Sequence, residues 1–313
     1  MTIYADYRDL PPAAKGFALA LGNFDGLHAG HQAVIDAARQ AAGPDGKIGV
    51  ATFEPPPRAF FRPQDPPFRI LTPEARNAKI LQVGRVEAVF ELPFNADMAG
   101  MTDEQFARDV LADGLGAAHV AVGFDFRFGR GRMGDAGRLA SLGRALGFGV
   151  TIMEEVQDGG TKASSTAIRQ ALRAGEPERA ALMLGHPWTV SGLVEHGEKR
   201  GRTIGFPTAN LYLRDVIHPR HGVYAVRARL KGEAVWRDGV ANFGRTPTTG
   251  LRDPLLETVI FDFDGDIYDR TLEVAFEAFL RPEVDFSTID EMVAQMHKDV
   301  ERARGLLSAR PAK

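Results

Sequence analysis

Residues 17–31 read FALALGNFDGLHAGH, and this stretch decides the fold of the amino-terminal half. A short apolar run, residues 17–21, stops at Gly22, and a helical spacing of apolar residues begins just after Gly26. The pattern predicts a buried strand, a tight turn and a helix, in that order. A strand that passes through a turn into a helix is the first part of a unit that builds parallel sheets.

The rest of the amino-terminal half repeats this alternation. Further strands are predicted at four apolar runs, residues 48–53, 88–92, 119–122 and 150–153. Segments with helical spacing accompany them, near 74–83, 102–114, 136–147 and 166–174. Alternating strands and helices predict an α/β domain, with a parallel sheet that is covered by helices.

The carboxy-terminal half has a different period. Apolar residues between Tyr224 and Leu230 alternate with polar ones, which is typical of a half-buried strand. Similar segments, separated by Gly and Pro, lie at 235–240, 255–261 and 272–280. A small antiparallel β-barrel is therefore predicted. Turn residues at 175–177 and 185–187 place the boundary between the two domains, which we expect at 1–185 and 186–313.

One helix is predicted to close the chain. Thr288 and Glu291 have the spacing of a capping box, which marks a helix start. An apolar stripe follows this start and is expected to face the core: Ile289, Met292, Val293, Met296 and Val300.

The composition excludes several classes of function. The 313 residues include 38 basic and 41 acidic side chains, a formal charge of −3, so no basic surface for nucleic acid is expected. The chain has no cysteine, which excludes disulfides, thiolate metal sites and a cysteine nucleophile. No apolar run is long enough for a membrane helix, and the first residues lack a secretory signal. We expect a cytoplasmic protein with no membrane or nucleic-acid partner.

The turn at residues 22–31 is a candidate anion site. In α/β sheets, ligands bind where a strand ends and a helix begins, and the free N–H groups of the first helical turn favour an anion. His28 and His31 are three residues apart, so both imidazoles face the same side and could reach one phosphate. Gly30 removes a side chain that would block the approach.

A second phosphate-binding segment is predicted at residues 162–169, KASSTAIR. The hydroxyls of Ser164, Ser165 and Thr166 precede a helix whose first turn carries Arg169. One hydroxyl suffices for an N-cap, so three in succession indicate phosphate binding. Together the two segments predict nucleotidyl transfer, in which a substrate phosphate attacks the α-phosphate of ATP and pyrophosphate leaves.

The barrel half carries its own candidate site at residues 197–210, GEKRGRTIGFPTAN. Glycines allow backbone amides to close around phosphates, and the side-chain oxygens of Thr208 and Asn210 suit Mg²⁺. The order of residues differs from a Walker loop.

These motifs resemble those of the bacterial bifunctional riboflavin kinase/FAD synthetases. Residues 22–31 match that family's G-x-F-D-G-x-H-x-G-H signature, 164–169 match its S-S-T-x-I-R segment, and 122–129 are similar to its V-G-x-D/N-F-x-F-G loop. Residues 197–210 match the riboflavin kinase signature G-x-x-x-G-R-x-x-G-F-P-T-A-N at every marked position. The resemblance extends from about residue 17 to about residue 307.

The resemblance implies a Rossmann-like nucleotidyltransferase domain followed by a riboflavin kinase barrel. The barrel would make FMN from riboflavin and ATP, and the first domain would make FAD from FMN and ATP, both with Mg²⁺. The implied catalytic residues are His28, His31, Arg169 and Glu257, where Glu257 is the base that precedes the segment DFDGDIYD at 262–269. Thr208 and Asn210 would hold the metal. The implied nucleotide- and flavin-binding residues are Gly22, Asn23, Phe24, Asp25, Gly26, Gly30, Asp125, Ser164, Ser165, Thr166, Gly197, Lys199, Gly201, Arg202, Gly205, Phe206 and Pro207.

The chain departs from the family pattern at three positions. Pro56 stands where the family usually has a histidine, Thr249 replaces the usual Phe, and Asp269 replaces the usual Gly.

Three other functions share parts of these motifs: a haloacid-dehalogenase-type phosphatase, a class I aminoacyl-tRNA synthetase, and a flavin-binding module without turnover. The phosphatase motif has Thr at the position of Asp266, and a tRNA synthetase is expected to have a basic surface. A flavin-binding module without turnover needs no base at Glu257. The oligomeric state stays open.

Overall fold

The computed structural model describes residues 2–154, 157–158, 161–196, 206–244 and 254–310. Contacts divide the chain into two compact units. Unit 1 comprises Met1–Pro66 and Leu71–Ser164, and unit 2 comprises Pro67–Ile70 and Ser165–Lys313.

Unit 1 alternates strands and helices. Its strands are β1 (Thr2–Tyr4), β2 (Ala18–Leu21), β3 (Ile48–Glu54), β4 (Ala88–Pro93), β5 (His119–Gly123), β6 (Arg127–Phe128), β7 (Gly134–Asp135), β8 (Gly149–Met153), β9 (Gln157–Asp158) and β10 (Thr161–Lys162). Its helices are α1 (Ala29–Ala42), α2 (Pro57–Phe61), α3 (Pro73–Val83), α4 (Ala96–Gly100), α5 (Asp103–Gln105), which continues as a π-helix (Phe106–Gly114), and α6 (Ala136–Leu146).

Six strands of unit 1 form a parallel sheet in the order β1-β4-β3-β2-β5-β8. The chain moves from β2 to β3 and β4 on one side, and then returns to place β5 on the other side of β2. Sheets with such a reversal bind ligands at the carboxyl ends of the strands on either side of it, which here are β2 and β5. The segments that follow β2 and β5 are the two that carry Gly22–His31 and Asp125.

Both faces of this sheet are buried, which explains the continuous apolar run of β2. Leu19 and Leu21 belong to the hydrophobic cluster on one face. Ala18 and Ala20 belong to the cluster on the other face, where α1 packs through Val34, Ile35 and Ala38. Small residues on one side of β2 therefore let α1 approach the strand closely.

A charged cluster lies in unit 1 near the carboxyl ends of β3 and β4. Arg76 on α3 is only 3% exposed, and its guanidinium lies 2.7 Å from Glu91 and 3.3 Å from Glu54. Asn77 donates a further hydrogen bond to Glu91 at 2.9 Å. The buried arginine is thus compensated by two carboxylates, as a buried charge requires.

Unit 2 contains the barrel. It begins with α7 (Ser165–Ala174) and α8 (Pro177–Leu184) and ends with α9 (Ile289–Ser308). Its strands are β11 (Trp188–Leu193), β12 (Ala209–Tyr212), β13 (Gly222–Leu230), β14 (Arg237–Gly244), β15 (Leu255–Ile260) and β16 (Thr271–Arg281). They pair antiparallel in the order β11-β16-β13-β14-β15-β12.

A single bridge brings the two outer strands of this sheet together. The backbone N–H of Glu195, just after β11, donates to the carbonyl oxygen of Asn210 in β12 at 2.9 Å. The sheet is thereby nearly closed into a barrel, and α9 packs against β13, β14 and β16 on its outer face.

The predicted fold class is confirmed: a parallel α/β sheet precedes an antiparallel barrel with a closing helix. Thr288 caps α9 by accepting a hydrogen bond from the Glu291 N–H at 3.2 Å. The expected apolar stripe is wrong at Ile289, which is 66% exposed because the core contacts of α9 come from its later turns.

Three predicted segments differ from the structure in bounds or type. The strand expected at 235–240 runs from Arg237 to Gly244, and Val235 lies outside it with 61% of its surface exposed. The helix expected at 102–114 is α-helical only at its start and π-helical from Phe106 onward. Between the turn residues expected at 175–177 and at 185–187, the structure has the additional helix α8.

Candidate active sites

The loop between β2 and α1 is shaped by left-handed backbone at three positions. Phe24, Gly26 and Leu27 have φ angles of 51°, 93° and 46°. Phe24 is 1% exposed and Asp25 is 8% exposed, so these two side chains anchor the loop from inside. Asp25 accepts a hydrogen bond from the Leu71 N–H at 3.2 Å. The loop is therefore held in one conformation by burial as well as by backbone geometry.

His28 and His31 lie together at the start of α1. Their rings stack with centroids 3.8 Å apart at an interplanar angle of 22°, and His28 is only 7% exposed. His31 also lies against the ring of Phe24, with centroids 5.2 Å apart. A Cβ at Gly30 would lie 3.2 Å from the His28 ring, so glycine at this position lets the imidazole lie across the helix start.

The N-cap position of α1 is occupied by His28. Among the residues that the structure describes, the His28 side chain makes no capping hydrogen bond to the first turn of α1. The first N–H groups of α1 and the positive end of its dipole therefore lie beside the two imidazoles, which is a favourable arrangement for a phosphate.

The other predicted residues of unit 1 are more exposed. Asn23 is exposed, and its carbonyl oxygen accepts a hydrogen bond from Thr52 at 3.2 Å. Gly22 is half-buried at the end of β2. Asp125 is exposed in the turn after β5, which the Phe126 N–H closes by donating to the Gly123 carbonyl at 3.1 Å. These residues lie at the same carboxyl edge of the sheet as the histidine pair.

The phosphate-binding segment predicted at 164–169 spans the border between the two units. Ser164 is the last residue of unit 1, and Ser165, Thr166 and Arg169 belong to α7 in unit 2. Arg169 donates to the Phe68 carbonyl at 2.7 Å, and its guanidinium lies 5.4 Å from the centre of the Phe68 ring.

The candidate site of unit 2 is a row of polar side chains across three strands. Asn210 on β12 is paired with Glu257 on β15, and Glu257 is paired with Asn242 on β14. Residues that are directly opposite on antiparallel strands project from the same face of the sheet. Asn210, Glu257 and Asn242 therefore lie side by side.

The environment of Glu257 favours its protonated form. Burial raises the pKa of the Glu257 carboxyl, and the negative charge of Glu283 raises this pKa further. The amide of the neighbouring Asn242 side chain acts in the opposite direction on the same pKa. Because the net shift is upward, Glu257 has a greater proton affinity than an exposed glutamate.

Asn210 presents an oxygen that suits a cation. Its side chain is 7% exposed, and its Oδ1 atom is buried and makes no hydrogen bond with any residue that the structure describes. Thr208 lies half-buried two residues earlier. Phe206 is 7% exposed and packs edge-on against His297 of α9, with ring centroids 5.0 Å apart, and Pro207 is exposed. Five predicted residues lie outside the described ranges: Gly197, Lys199, Gly201, Arg202 and Gly205.

Sequence reasoning missed the surroundings of Glu257. Glu283 lies over Gly244, where a Cβ would overlap the Glu283 carboxylate, and it is 3.4 Å from the imidazole of His221. Neither this contact nor the pairing of Asn242 with Glu257 has a sequence signal, because both depend on strand register.

Comparisons with known proteins cover both units. A family model described as FAD synthetase matches residues 10–167, and one described as riboflavin kinase matches residues 184–307. The chain is 38% identical to a bifunctional riboflavin kinase/FMN adenylyltransferase from Pseudomonas fluorescens over 308 residues, which are 98% of each protein. The chain belongs to this family.

Other relatives agree with this assignment. The riboflavin kinase/FMN adenylyltransferase of Bacillus subtilis is 38% identical over 293 residues, 91% of this chain and 90% of that protein. The Haemophilus influenzae relative with the same description is 36% identical over 296 residues, 94% of this chain and 96% of that protein. The predicted family and pair of transferase activities are confirmed.

A crystal structure of a Streptococcus pneumoniae protein, described as a macrolide-efflux protein, matches the whole fold. Its TM-score is 0.84 at 33% identity, and the match covers 97% of this chain and 98% of that one. In the part of this chain that the structure describes, no helix is long and apolar enough to cross a membrane.

Proposed function

We propose that the polar row on the barrel is the riboflavin kinase site and that the histidine pair of unit 1 is the FMN adenylyltransferase site. One observation carries the first assignment: Glu257, with its raised proton affinity, lies directly beside Asn210, whose buried oxygen has no hydrogen-bond partner among the described residues. A proton acceptor next to a cation-binding oxygen is what phosphoryl transfer to a hydroxyl requires.

Glu257 is the general base of the kinase reaction. It accepts the proton of the riboflavin 5′-hydroxyl as that oxygen bonds to the γ-phosphorus of ATP, the bond to the β–γ bridging oxygen breaks, and ADP leaves. A base is most effective when its pKa approaches the working pH, and burial moves the pKa of Glu257 in that direction.

Thr208 and Asn210 are the protein ligands proposed for Mg²⁺. The Asn210 amide oxygen is buried and oriented without a hydrogen bond to the described residues, and the Thr208 hydroxyl precedes it by two positions. Neutral oxygen donors fit a hard cation that also binds phosphate and water. When bound, Mg²⁺ would neutralise negative charge on the ATP phosphates. Gly197, Lys199, Gly201, Arg202, Gly205, Phe206 and Pro207 are proposed to enclose those phosphates.

The histidine pair stabilises charge in the adenylyl transfer. An oxygen of the FMN phosphate attacks the α-phosphorus of ATP, and pyrophosphate leaves, so no protein nucleophile is needed. His28 and His31 donate to the α-phosphate oxygens, and the N–H groups of the first turn of α1 support the same charge. Gly22, Asn23, Phe24, Asp25, Gly26 and Gly30 form the loop around the nucleotide.

The remaining assignments concern phosphate, flavin and domain boundaries. Ser164, Ser165, Thr166 and Arg169 are proposed to hold phosphates, and Asp125 to lie at the flavin side of the site, after β5. The proposed domains are residues 1–185 and 186–313, which the ranges of the two family models, 10–167 and 184–307, support. Because both reactions consume ATP, we place the enzyme in the cytoplasm.

The products formed from each substrate test this proposal. With ATP and Mg²⁺, riboflavin should yield FMN and ADP first and FAD later, whereas FMN should yield FAD and pyrophosphate in equal amounts. Chromatography of the flavins, together with assays of ADP and pyrophosphate, gives the ratio of ADP to FMN formed from riboflavin and the ratio of pyrophosphate to FAD formed from FMN. Formation of FAD from FMN without pyrophosphate would exclude adenylyl transfer from ATP.

A further inference from the structure

A third side chain in the polar row has the geometry to orient the proposed base. We infer that Asn242 is a positioning residue of the kinase site, which holds the Glu257 carboxylate in the orientation that receives the proton of the riboflavin hydroxyl. This inference rests on the proposed function of Glu257. Asn242 acts through Glu257 and need not touch the substrate.

The position of Asn242 is fixed from both sides. β14 lies between β13 and β15, so Asn242 is paired with Val223 on one side and with Glu257 on the other. Val223 is only 6% exposed and belongs to the hydrophobic cluster under α9. A side chain that starts from a central strand, next to a packed neighbour, has little freedom to turn away from the carboxylate.

A hydrogen bond from Asn242 would constrain Glu257 without occupying all of its acceptor sites. Asn242 is directly opposite Glu257 in the pairing of β14 with β15, so its amide is placed to donate to the Glu257 carboxylate, which has about four lone-pair positions. One donor therefore fixes the rotation of the carboxylate and leaves acceptor positions for a substrate hydroxyl. Orientation of this kind contributes strongly to rate, since a displacement of about 1 Å can cost about 10²-fold.

The chemistry of an amide suits this position. A lysine or arginine at position 242 would neutralise the charge with which Glu257 attracts a proton. An apolar side chain would leave the half-buried carboxylate without a donor beside Glu283, a second negative charge. Asparagine can donate a hydrogen bond and adds no net charge, so it can orient the base while lowering its proton affinity less than a cation would.

Substitution of Asn242 by Leu tests the inference in the full chain. Asn242→Leu keeps the branched shape of the side chain and removes the donor, so kcat for riboflavin phosphorylation should fall about 10–10²-fold, with KM for riboflavin and ATP changed much less. Adenylylation of added FMN by the same preparation should be unchanged. Thr258→Val is the matched control, because Thr258 lies next to Glu257 on β15 but faces the opposite side of the sheet, and its kinase kcat should equal that of the original chain.

A double-mutant cycle separates positioning from a structural role. If Asn242 acts through Glu257, Asn242→Leu should lower the residual kinase rate very little once Glu257→Gln is present. An equal fold-loss in both backgrounds, or a parallel loss of FMN adenylylation, would overturn the inference. If Asn242→Leu does not fold, Asn242→Asp has the same shape and should give the same kcat loss, because a second carboxylate repels Glu257; full kcat in that variant would also overturn it.

Failure of the proposed base can be distinguished from failure of this inference. If Glu257→Gln alone keeps the full kinase rate, Glu257 is not the base and the proposed function fails. If Glu257→Gln loses the kinase rate while Asn242→Leu keeps its kcat, only the positioning role is wrong.

Discussion

His28 and His31 stack face to face at the start of α1, with their ring centroids 3.8 Å apart. His31 also lies against the ring of Phe24, and a Cβ at Gly30 would crowd the His28 ring at 3.2 Å. Two adjacent imidazoles at a helix amino terminus can donate to one phosphate from neighbouring positions. The stacking thus gives a structural basis for the adenylyl transfer assigned to unit 1.

Replacement of one of these imidazoles should selectively slow FAD formation. His28→Ala removes a charge-stabilising donor, which typically costs about 10²–10³-fold in kcat. The rate of FMN adenylylation should fall by this factor, while riboflavin phosphorylation in the same sample should be retained. His119→Ala is the control, because His119 begins β5 at the opposite edge of the sheet. An equal loss in both variants would show that the effect is not specific to the proposed site.

The pH dependence of the kinase should report the charges around Glu257. Since the base must be ionised, kcat/KM for riboflavin phosphorylation should fall as the pH drops through the pKa of Glu257, which burial and Glu283 raise above the ordinary value. Glu283→Gln removes one negative charge, lowers this pKa, and should move the acidic limb to lower pH.

Glu273→Gln provides the comparison for this pH profile. Glu273 also lies in unit 2, but it is paired with Arg229 at 2.6 Å and is not among the groups that shift Glu257. Its substitution should leave the acidic limb in place. If Glu283→Gln leaves the acidic limb of the pH profile at the same pH, the assignment of this titration to Glu257 is contradicted.

Thr258 should be a site at which a substitution stabilises the barrel. Its side chain is fully buried, its Oγ1 has no hydrogen-bond partner in the described ranges, and its cross-strand neighbours are Ala209 and Ala241. A buried hydroxyl without a partner costs about 1–3 kcal/mol. Thr258→Val should therefore raise the free energy of unfolding by about 1 kcal/mol in urea titrations. A lower free energy would show that this hydroxyl has a stabilising contact.

Arg76 should be important for the stability of unit 1. Arg76→Leu removes the buried guanidinium that pairs with the partly buried carboxylates of both Glu54 and Glu91, for which a loss of about 3 kcal/mol is expected. Arg138→Leu is the matched comparison, because Arg138 pairs with Asp103 at the surface and such pairs contribute less than about 1 kcal/mol. Similar losses for both variants in denaturant unfolding would refute this difference.

The α/β fold was predicted well from the sequence, because in unit 1 the spacing of apolar residues matches the spacing of the residues that are buried. The strand starting at Ile48 and the helix ending at Val83 were expected from continuous apolar runs and helical spacing, and the structure has them within one or two residues. Strand β1 was missed because Thr2–Tyr4 is a short edge strand with no buried residue. An edge position removes the apolar signal on which strand prediction depends.

The bounds of β14 were predicted least well, and residues of the proposed kinase site give the reason. Its last residues include Asn242 and Gly244, which are unfavourable in strands. Asn242 faces Glu257, and Gly244 makes room for Glu283, so the site itself weakens the strand pattern. The motif residues at 22–31 and at 206–210 were found because their spacing is local in sequence, whereas the groups that adjust Glu257 come from other strands.

The independence of the two sites can be measured most directly by mixing two variants that each lack a different one of the two activities. With riboflavin, ATP and Mg²⁺, Glu257→Gln should form almost no FMN, since loss of a general base costs about 10²–10⁴-fold, and His28→Ala should stop at FMN. A mixture of the two chains should convert riboflavin to FAD, because FMN released by His28→Ala can be adenylylated by Glu257→Gln. Absence of FAD from the mixture, or loss of both activities in either variant alone, would contradict the account of two separate sites.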